Sequence, residues 1–325
     1  MRAIVRTTYG SPDVLRLEEI AAPEPGAGDV LVRIRAASVN RADLDYLTGS
    51  PAITRMLMGV RRPKVERVGL DAAGEVAAIG SGVRSLQVGD RVYADLTQHG
   101  QGAFAEFACA PESAWHAMPA NIDFEQAAAV PQSAILALEG LAARGGVQAG
   151  DTVLINGASG CVGPFAIQMA KAAGATVTGV CRTDKMDFVR SLGVDHVIDY
   201  TRGDYTRSGL RYDRILDPAG NRSVFAARRA LAPGGTYQSY GGPSTGRILQ
   251  TLILGPLISL FGSRTVGMML AWKPNDPREM AILGGMLEAG TLAPVIDRHY
   301  PLNEVPDALR YLAAGTARGK LVITM

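Results

Sequence analysis

The segment DTVLINGA has the look of a strand, and it runs directly into Ala158-Ser159-Gly160-Cys161-Val162-Gly163 and then a helical stretch to about Ala173. This is the dinucleotide fingerprint with Ala158 standing for its first glycine. In that reading Gly160 lets the backbone approach a pyrophosphate, and Gly163 allows close packing of helix on strand. The helix N-terminus offers free N–H groups and the positive end of its dipole to the phosphates. Selective use of NAD asks for an acid at the tip of the next strand, to bind the ribose 2′-hydroxyl. That strand ends Val180-Cys181-Arg182-Thr183 and has no acid there. Arg182, Thr183 and Lys185 suit a 2′-phosphate instead, so NADPH is the expected cofactor. Arg182 has a second reading as an ordinary solvated loop charge. Asp184 and Asp187 come too late and are read as part of the next helix start.

These residues need elements to hold them. The N-terminal part is β-rich: MRAIVRTTYG and VLVRIRAASV alternate with period two, and short strands joined by glycine turns fill residues 69–94. That density suggests a barrel-like β domain. Asn40 and Asp43 mark a helix start, as N-cap and N3 residue. Near residue 125 the texture changes to strands alternating with helices, which means a parallel sheet covered on both faces. Asp217 ends the strand RYDRILD in that series and is counted among the cofactor-binding positions. The expected boundaries are 1–125 for the first β part, 126–266 for the dinucleotide domain, and 267–325 for a C-terminal completion of the β part.

Residues 248–270 are unusually apolar, with Gly255 and Pro256 in the middle of ILQTLILGPLISLFG. The run is too short to span a bilayer. It reads as a buried or interface helix pair broken at Pro256, or as an apolar wall at the substrate entrance or dimer contact that would favour a bulky apolar substrate.

Composition removes other classes. The 325 residues carry 33 Lys+Arg and 31 Asp+Glu, a net charge of +2, with 47% apolar residues. That is a globular chain with no general electrostatic pull toward nucleic acid. Cys109, Cys161 and Cys181 are too few and too scattered for a disulfide framework or a C-x-x-C zinc knuckle. His99, His116, His196 and His299 show no H-x-x-x-H spacing. The N-terminus has no signal-peptide core, and a reducing, cytoplasmic setting is expected.

VLVRIRAASVNRADL, GLDAAGEVAAIGSGVRSLQVGDRV, GAFAEFACAP, QAAAVPQSAILAL, NGASGCVG, SLGVDHVIDY and RGKLVITM together carry a further reading. The chain resembles the medium-chain dehydrogenase/reductase superfamily, in its zinc-independent quinone oxidoreductase and enoyl reductase branch. The resemblance covers nearly the whole chain. It implies an α/β fold in which a doubly wound Rossmann domain is inserted into a GroES-like β-barrel domain, usually as a homodimer. Zinc-dependent relatives have a cysteine ligand where this chain has Asn40 and a His-Glu pair where it has Leu70-Asp71. Their four-cysteine lobe is absent. No metal is therefore expected, and a zinc alcohol dehydrogenase is disfavoured.

By the same resemblance Asn40 and Tyr46 line the nicotinamide pocket as hydrogen-bond donors, with Asp43 beside them. Tyr46 is equally readable as a core-edge tyrosine, and Asp43 as a helix-start residue. Gln132 and Ser133 flank the nicotinamide, Ser133 as a cofactor contact. Tyr200 lies near the adenosine phosphate or is a strand-end aromatic. Gly241 and Gly242 let the backbone pass beside the nicotinamide or form a plain turn. Arg318, Gly319 and Lys320 approach the cofactor or form a solvated turn. The implied activity is NADPH-dependent reduction of a quinone or of the C=C bond of an α,β-unsaturated carbonyl, on a small apolar substrate, with no nucleic-acid partner and no membrane span. The alternatives are a zinc-free ketone or alcohol oxidoreductase and a non-catalytic NADPH-binding relative.

Overall fold

The strand β3 (Asp29–Val39) organises the first unit. Its eleven residues alternate between exposed and buried, and Val30, Val32, Ile34 and Val39 face the core. Before it come β1 (Arg2–Val5) and β2 (Arg16–Glu19). After it come α1 (Arg41–Thr48), α2 (Ile53–Met58), β4 (Asp71–Ile79), β5 (Arg91–Asp95), β6 (Phe107–Pro111), β7 (His116–Ala117), α3 (Phe124–Ala128) and α4 (Pro131–Ala142). Then follow β8 (Thr152–Asn156), α5 (Gly163–Ala172), β9 (Thr176–Cys181), α6 (Met186–Ser191), β10 (His196–Asp199), β11 (Tyr212–Asp217), α7 (Val224–Arg229), β12 (Leu231–Ser239), α8 (Thr245–Ser259) and β13 (Thr265–Met268). The chain ends with α9 (Pro277–Glu288), β14 (Ile296–Pro301), α10 (Val305–Ala313) and β15 (Lys320–Thr324). These elements come from a computed structural model that describes residues 1–269 and 273–325. Leu270, the last residue of the apolar segment noted above, lies outside the described residues.

Two compact units result: residues 1–135 with 273–325, and residues 136–272. In the first, a seven-stranded sheet runs β14-β15-β3-β4-β5-β7, and β6 also pairs with β3. β15 lies antiparallel to β3, with Leu321 opposite Val39 and Ile323 opposite Ala37. The C-terminal strand is thus built into the sheet begun by the N-terminal segment. The unit boundaries fall later than the texture of the sequence suggested, at 135/136 and 272/273. The Ala-rich helix α3 packs on β3, β4 and β15, which places it in the β unit.

The second unit holds a six-stranded parallel sheet in the order β10-β9-β8-β11-β12-β13. Numbered within the unit this is 3-2-1-4-5-6, the doubly wound arrangement in which ligands bind at the carboxyl ends of the strands. Val153, Leu154 and Ile155 of β8 are fully buried, the continuous apolar run that a central parallel strand requires.

The segment around Pro256 differs from expectation. α8 is one continuous helix of 15 residues with Pro256 inside it, not two arms. Only the bond from residue 256 to the carbonyl four residues earlier is lost. Packing on β13 compensates: a Cβ on Gly255 would stand 2.8 Å from the Val266 carbonyl oxygen, so glycine lets the helix seat against the strand. Burial of the whole run is also not found. Ile248, Thr251 and Gly255 are buried, whereas Leu249, Ile253, Leu257, Leu260 and Phe261 are exposed.

Candidate active site

The fingerprint loop starts at Gly157, whose φ of 100° belongs to glycine. The N–H groups of Gly157 and Ala158 both donate to the Val180 carbonyl on the neighbouring strand, each at 3.1 Å. The two later glycines then play different parts. A Cβ on Gly163 would sit 2.3 Å from the Ala158 carbonyl oxygen, so the turn from β8 into α5 closes only around glycine. A Cβ on Gly160 would meet only the Gly157 carbonyl oxygen, at 3.4 Å. The protein's own packing therefore does not demand glycine at 160. The space there is free for a ligand that must come close to the backbone. Ser159 is buried, and Cys161 and Val162 lead into the first turn of α5, where the positive end of the helix dipole favours a phosphate. A dinucleotide fits this loop.

At the tip of β9, Cys181 is buried, and burial pushes its thiol up to about 11. Cys181 is therefore a packed position rather than a ligand contact. Arg182 is not a free cation: its guanidinium binds Asp184 through Nε at 2.6 Å and Nη2 at 2.9 Å. Asp184 is thus more than a helix-start residue, and the Arg182 hydrogen bond lowers its carboxyl to about 2. Thr183 donates to Asp199 at 2.5 Å, and Lys185 is buried. Tyr200 is exposed, and its N–H donates to the Cys181 carbonyl. The structure thereby brings Arg182, Thr183 and Tyr200 to one edge, at the carboxyl ends of β9 and β10.

Asp217 is corrected to a supporting role. It has no exposed surface, and its oxygens accept from Asn156 Nδ2 at 2.7 Å, Tyr237 at 2.8 Å and the Gly220 N–H at 2.8 Å. No lone pair is left facing outward for a cofactor. What it holds is the loop after β11, and burial raises its carboxyl. That loop carries a glycine the sequence reading passed over. A Cβ on Gly220, at φ 56°, would come 2.2 Å from the Gly241 carbonyl oxygen. The Gly220 and Gly241–Gly242 loops therefore meet backbone to backbone, while a Cβ on Gly241 would meet nothing within 4 Å.

The β unit contains the second constellation, a buried polar network. Asn40 closes β3 and caps α1, and its N–H donates to Asp43 Oδ2 at 2.7 Å. Its side chain points inward. Nδ2 donates to Asp71 Oδ2 at 2.9 Å, while Oδ1 accepts from Lys320 Nζ at 2.5 Å and Ser133 Oγ at 3.1 Å. Lys320 Nζ also lies 3.4 Å from Asp71 Oδ2 and 3.2 Å from Ser133 Oγ. The Gln132 N–H donates to Asp71 Oδ1 at 3.2 Å, and its Nε2 donates to Asp95 Oδ2 at 3.3 Å. Asp95 Oδ1 takes both the N–H and the hydroxyl of Thr97. Lys320 therefore belongs to this network and not to an exposed turn. Ser133 likewise is 1% exposed, with its hydroxyl committed inside the unit. Arg318 is exposed, and its N–H donates to Asp297 Oδ2 at 2.9 Å.

Three carboxylates, Asp43, Asp71 and Asp95, thus share the network with one ammonium. Burial disfavours their charged forms. Asp43 is pushed well up by burial, and its Oδ1 is buried without a hydrogen-bond partner. Asp71 is raised by burial against the pull of Lys320. Asp95 rises to about 7, through burial and then the Asp71 charge. Tyr46 is half-buried, and burial with the charges of Asp95, Asp43 and Asp45 moves its phenol to about 12. At neutral pH it keeps its proton and is a donor, not a base. A zinc ion does not fit here. The oxygens of Asn40 and Asp71 already face the Lys320 ammonium, which would repel a dication, and Leu70 is a fully buried apolar residue.

A barrel-like β unit completed by the C-terminus, and a doubly wound unit with an open dinucleotide loop, define a two-domain nicotinamide-dependent oxidoreductase. Residues 26–120 match the alcohol dehydrogenase GroES-like domain family, and residues 192–323 match the family described as zinc-binding dehydrogenase. The chain is 30% identical over 348 residues to the chloroplastic quinone-oxidoreductase homolog of Spinacia oleracea, covering 99% of this chain and 98% of that protein. It is 32% identical over 334 residues to the chloroplastic NADPH-dependent alkenal/one oxidoreductase of Arabidopsis thaliana, covering 99% and 79%. The structure of the quinone oxidoreductase from Coxiella burnetii superposes with a TM-score of 0.88 at 28% identity, covering 100% of this chain and 99% of that one. The chain belongs to the medium-chain dehydrogenase/reductase superfamily, in its zinc-independent quinone oxidoreductase branch.

The residues that sequence reasoning missed are Asp95, Thr97 and Gly220, together with the partners that Asp71 and Lys320 find. A signal existed for the acids. GLDAAG and VYADL each place an aspartate among small apolar residues on a strand, which is where an acid must be buried and partnered.

Proposed function

We propose that the protein is an NADPH-dependent, zinc-independent reductase of quinones or of the C=C bond of α,β-unsaturated carbonyls. The observation that carries the reading is the open Gly160 loop followed by a strand tip without an acid. The names of the spinach and Arabidopsis relatives, a quinone oxidoreductase homolog and an NADPH-dependent alkenal/one oxidoreductase, support the substrate class. When bound, the reduced nicotinamide supplies the hydride. The chain's own residues bind and orient. Gly160 and the α5 N-terminus take the pyrophosphate, and Arg182 with Tyr200 flank the 2′-phosphate. Arg182 must share its guanidinium between that phosphate and Asp184, which reduces its contribution. Asn40 is held in one orientation by Lys320, Ser133 and Asp71, with one Nδ2–H left over as a donor. Tyr46, protonated at neutral pH, is a second donor toward negative charge developing on a carbonyl oxygen. The proton that completes the reduction comes from water or a hydroxyl. The reading carries with it an apolar small-molecule substrate and a cytoplasmic homodimer. Among the described residues no helix is long and apolar enough to cross a membrane.

The test is NADPH oxidation against quinones, enones, enals and ketones, with the products identified. Quinol or saturated carbonyl products are expected. Alcohols formed from simple ketones as the main products would favour the ketone reductase reading, and NADPH binding without any turnover would favour a non-catalytic role.

A further inference from the structure

The helix α9 carries two glycines that its own packing does not ask for. Gly284 and Gly285 sit inside the helix, and a Cβ on either would meet no heavy atom within 4 Å. Glycine in a helix interior weakens it relative to alanine, so the reason for the pair lies outside the packing. The end of α9 is equally out of keeping. Its last residue is Glu288 and its last turn has no basic residue, although the negative end of the helix dipole favours a cation there. The Glu288 carboxylate forms no ion pair or hydrogen bond among the described residues.

The two glycines and Glu288 line one cleft of about 300 Å³ within the β unit, together with Pro119, Met280 and Tyr93 of β5. Alternation along β5 turns Val92 and Ala94 into the barrel core and Tyr93 outward, toward α9. Tyr93 is 1% exposed, and its hydroxyl has no hydrogen-bond partner among the described residues. A phenol buried to that degree normally finds one. Burial and the nearby Glu288 charge push it to about 12, so it stays neutral and its oxygen is free to accept a hydrogen bond. His116, also in the lining, adds an acceptor. Its Nε2 donates to the Asn275 carbonyl at 3.1 Å, and burial lowers its pKa, so the ring is neutral with Nδ1 unprotonated. No Lys or Arg lines the cleft.

These groups select the ligand. An anion would meet the Glu288 carboxylate with no cation in the lining to offset it. A neutral apolar molecule would leave the Tyr93 hydroxyl and the carboxylate unanswered. An ammonium group donates to both, and an apolar body attached to it fills the space over the two glycines. We propose that this cleft binds an organic amine in its ammonium form, with the nitrogen among Glu288, Tyr93 and His116 and the apolar body laid along Gly284 and Gly285 against Met280. The site shares no residue with the Gly160 loop or the Asn40–Lys320 network, and it does not rest on the reaction assigned above.

Calorimetric titration of the full chain tests this, with 2-phenylethylammonium as the probe and phenylacetate and 2-phenylethanol as its anionic and neutral counterparts. The ammonium is expected to bind at least about tenfold more tightly than either. Glu288→Gln should weaken it about tenfold, and Tyr93→Phe about fivefold. Gly284→Leu puts a side chain into the cleft and should abolish binding. Gly284→Ala should unfold at the same temperature as wild type or higher, because nothing packs where its Cβ goes. NADPH binding by all variants should stay at the wild-type level, which reports that they are folded. No saturable binding of the ammonium, equal binding of phenylacetate, or binding unchanged by Glu288→Gln or Gly284→Leu overturns the proposal. So does a lower unfolding temperature in Gly284→Ala, because the glycine is then a packing residue.

Discussion

The fingerprint loop of the Rossmann unit and the polar network of the β unit are built on opposite plans. The loop leaves something undone: the Gly160 Cβ position is open, and the loop runs into the N-terminus of α5. The network leaves almost nothing undone, since Asn40, Asp71, Gln132, Ser133 and Lys320 satisfy one another inside the unit. The first is a cradle for a ligand that comes and goes. The second fixes the orientation of an amide and holds protons.

That difference has consequences of unequal size. The largest is expected at Lys320, the ammonium that Asn40 and Asp71 hold inside the unit. Lys320→Met leaves Asp71 uncompensated and should cost about 3–5 kcal/mol of stability, read by thermal or denaturant unfolding. Adding Asp71→Asn should recover much of the loss, because the stranded charge goes with it. A small effect of the single substitution would mean that the network is wetter than its burial indicates.

Asp95 comes next and acts through pH. Its carboxyl rises from 3.8 in the unfolded chain to about 7 in the folded protein. Between about pH 4 and 7 the unfolded state gives up this proton while the folded state keeps it. The stability contributed by Asp95 is therefore full at low pH, falls as pH rises through that window, and levels off above it. Asp95→Asn should remove this component, gaining roughly 2–4 kcal/mol relative to wild type as the pH is raised from 4 to 8. Parallel unfolding curves for the two proteins at both pH values would contradict this.

The two fingerprint glycines should separate cleanly. Gly163→Ala forces a Cβ against the Ala158 carbonyl and should cost about 1–3 kcal/mol of stability. Gly160→Ala should leave stability alone and weaken NADPH roughly tenfold, by filling the space the ligand needs. Equal loss of stability in both would make Gly160 a packing residue. The smallest effect is at the strand tip. Arg182→Ala should weaken NADPH by about tenfold or less with NADH nearly unchanged, and Asp184→Asn should tighten NADPH, because a competing carboxylate is removed.

The same contrast explains what could be read in the sequence. The cradle is contiguous, from Asn156 to Gly163, and its glycines announce themselves. The alternation of strands and helices gave the doubly wound sheet for the same local reason. The network joins Asn40 to Lys320 across 280 positions. Only the pairing of β15 with β3 brings those residues together, so Lys320 reads in sequence as part of a turn. Asp217 misled in the opposite way: it ends a strand where a ligand contact is plausible, but Asn156, Tyr205, Tyr237 and Gly220 of its own unit donate to it. Pro256 suggested a broken helix, yet the seat that Gly255 provides on β13 outweighs one missing hydrogen bond.

We propose that the open loop takes NADPH and that the β unit works with an internal ammonium rather than a metal. The most direct measurement compares initial rates of NADPH and NADH oxidation, with one quinone and one enone, on protein stripped by a chelator and checked for metal content. NADPH-driven reduction that persists at full rate without zinc, with NADH slower by about tenfold, is the expected result. Equal rates with NADH, or activity lost on chelation and restored by zinc, would contradict the account.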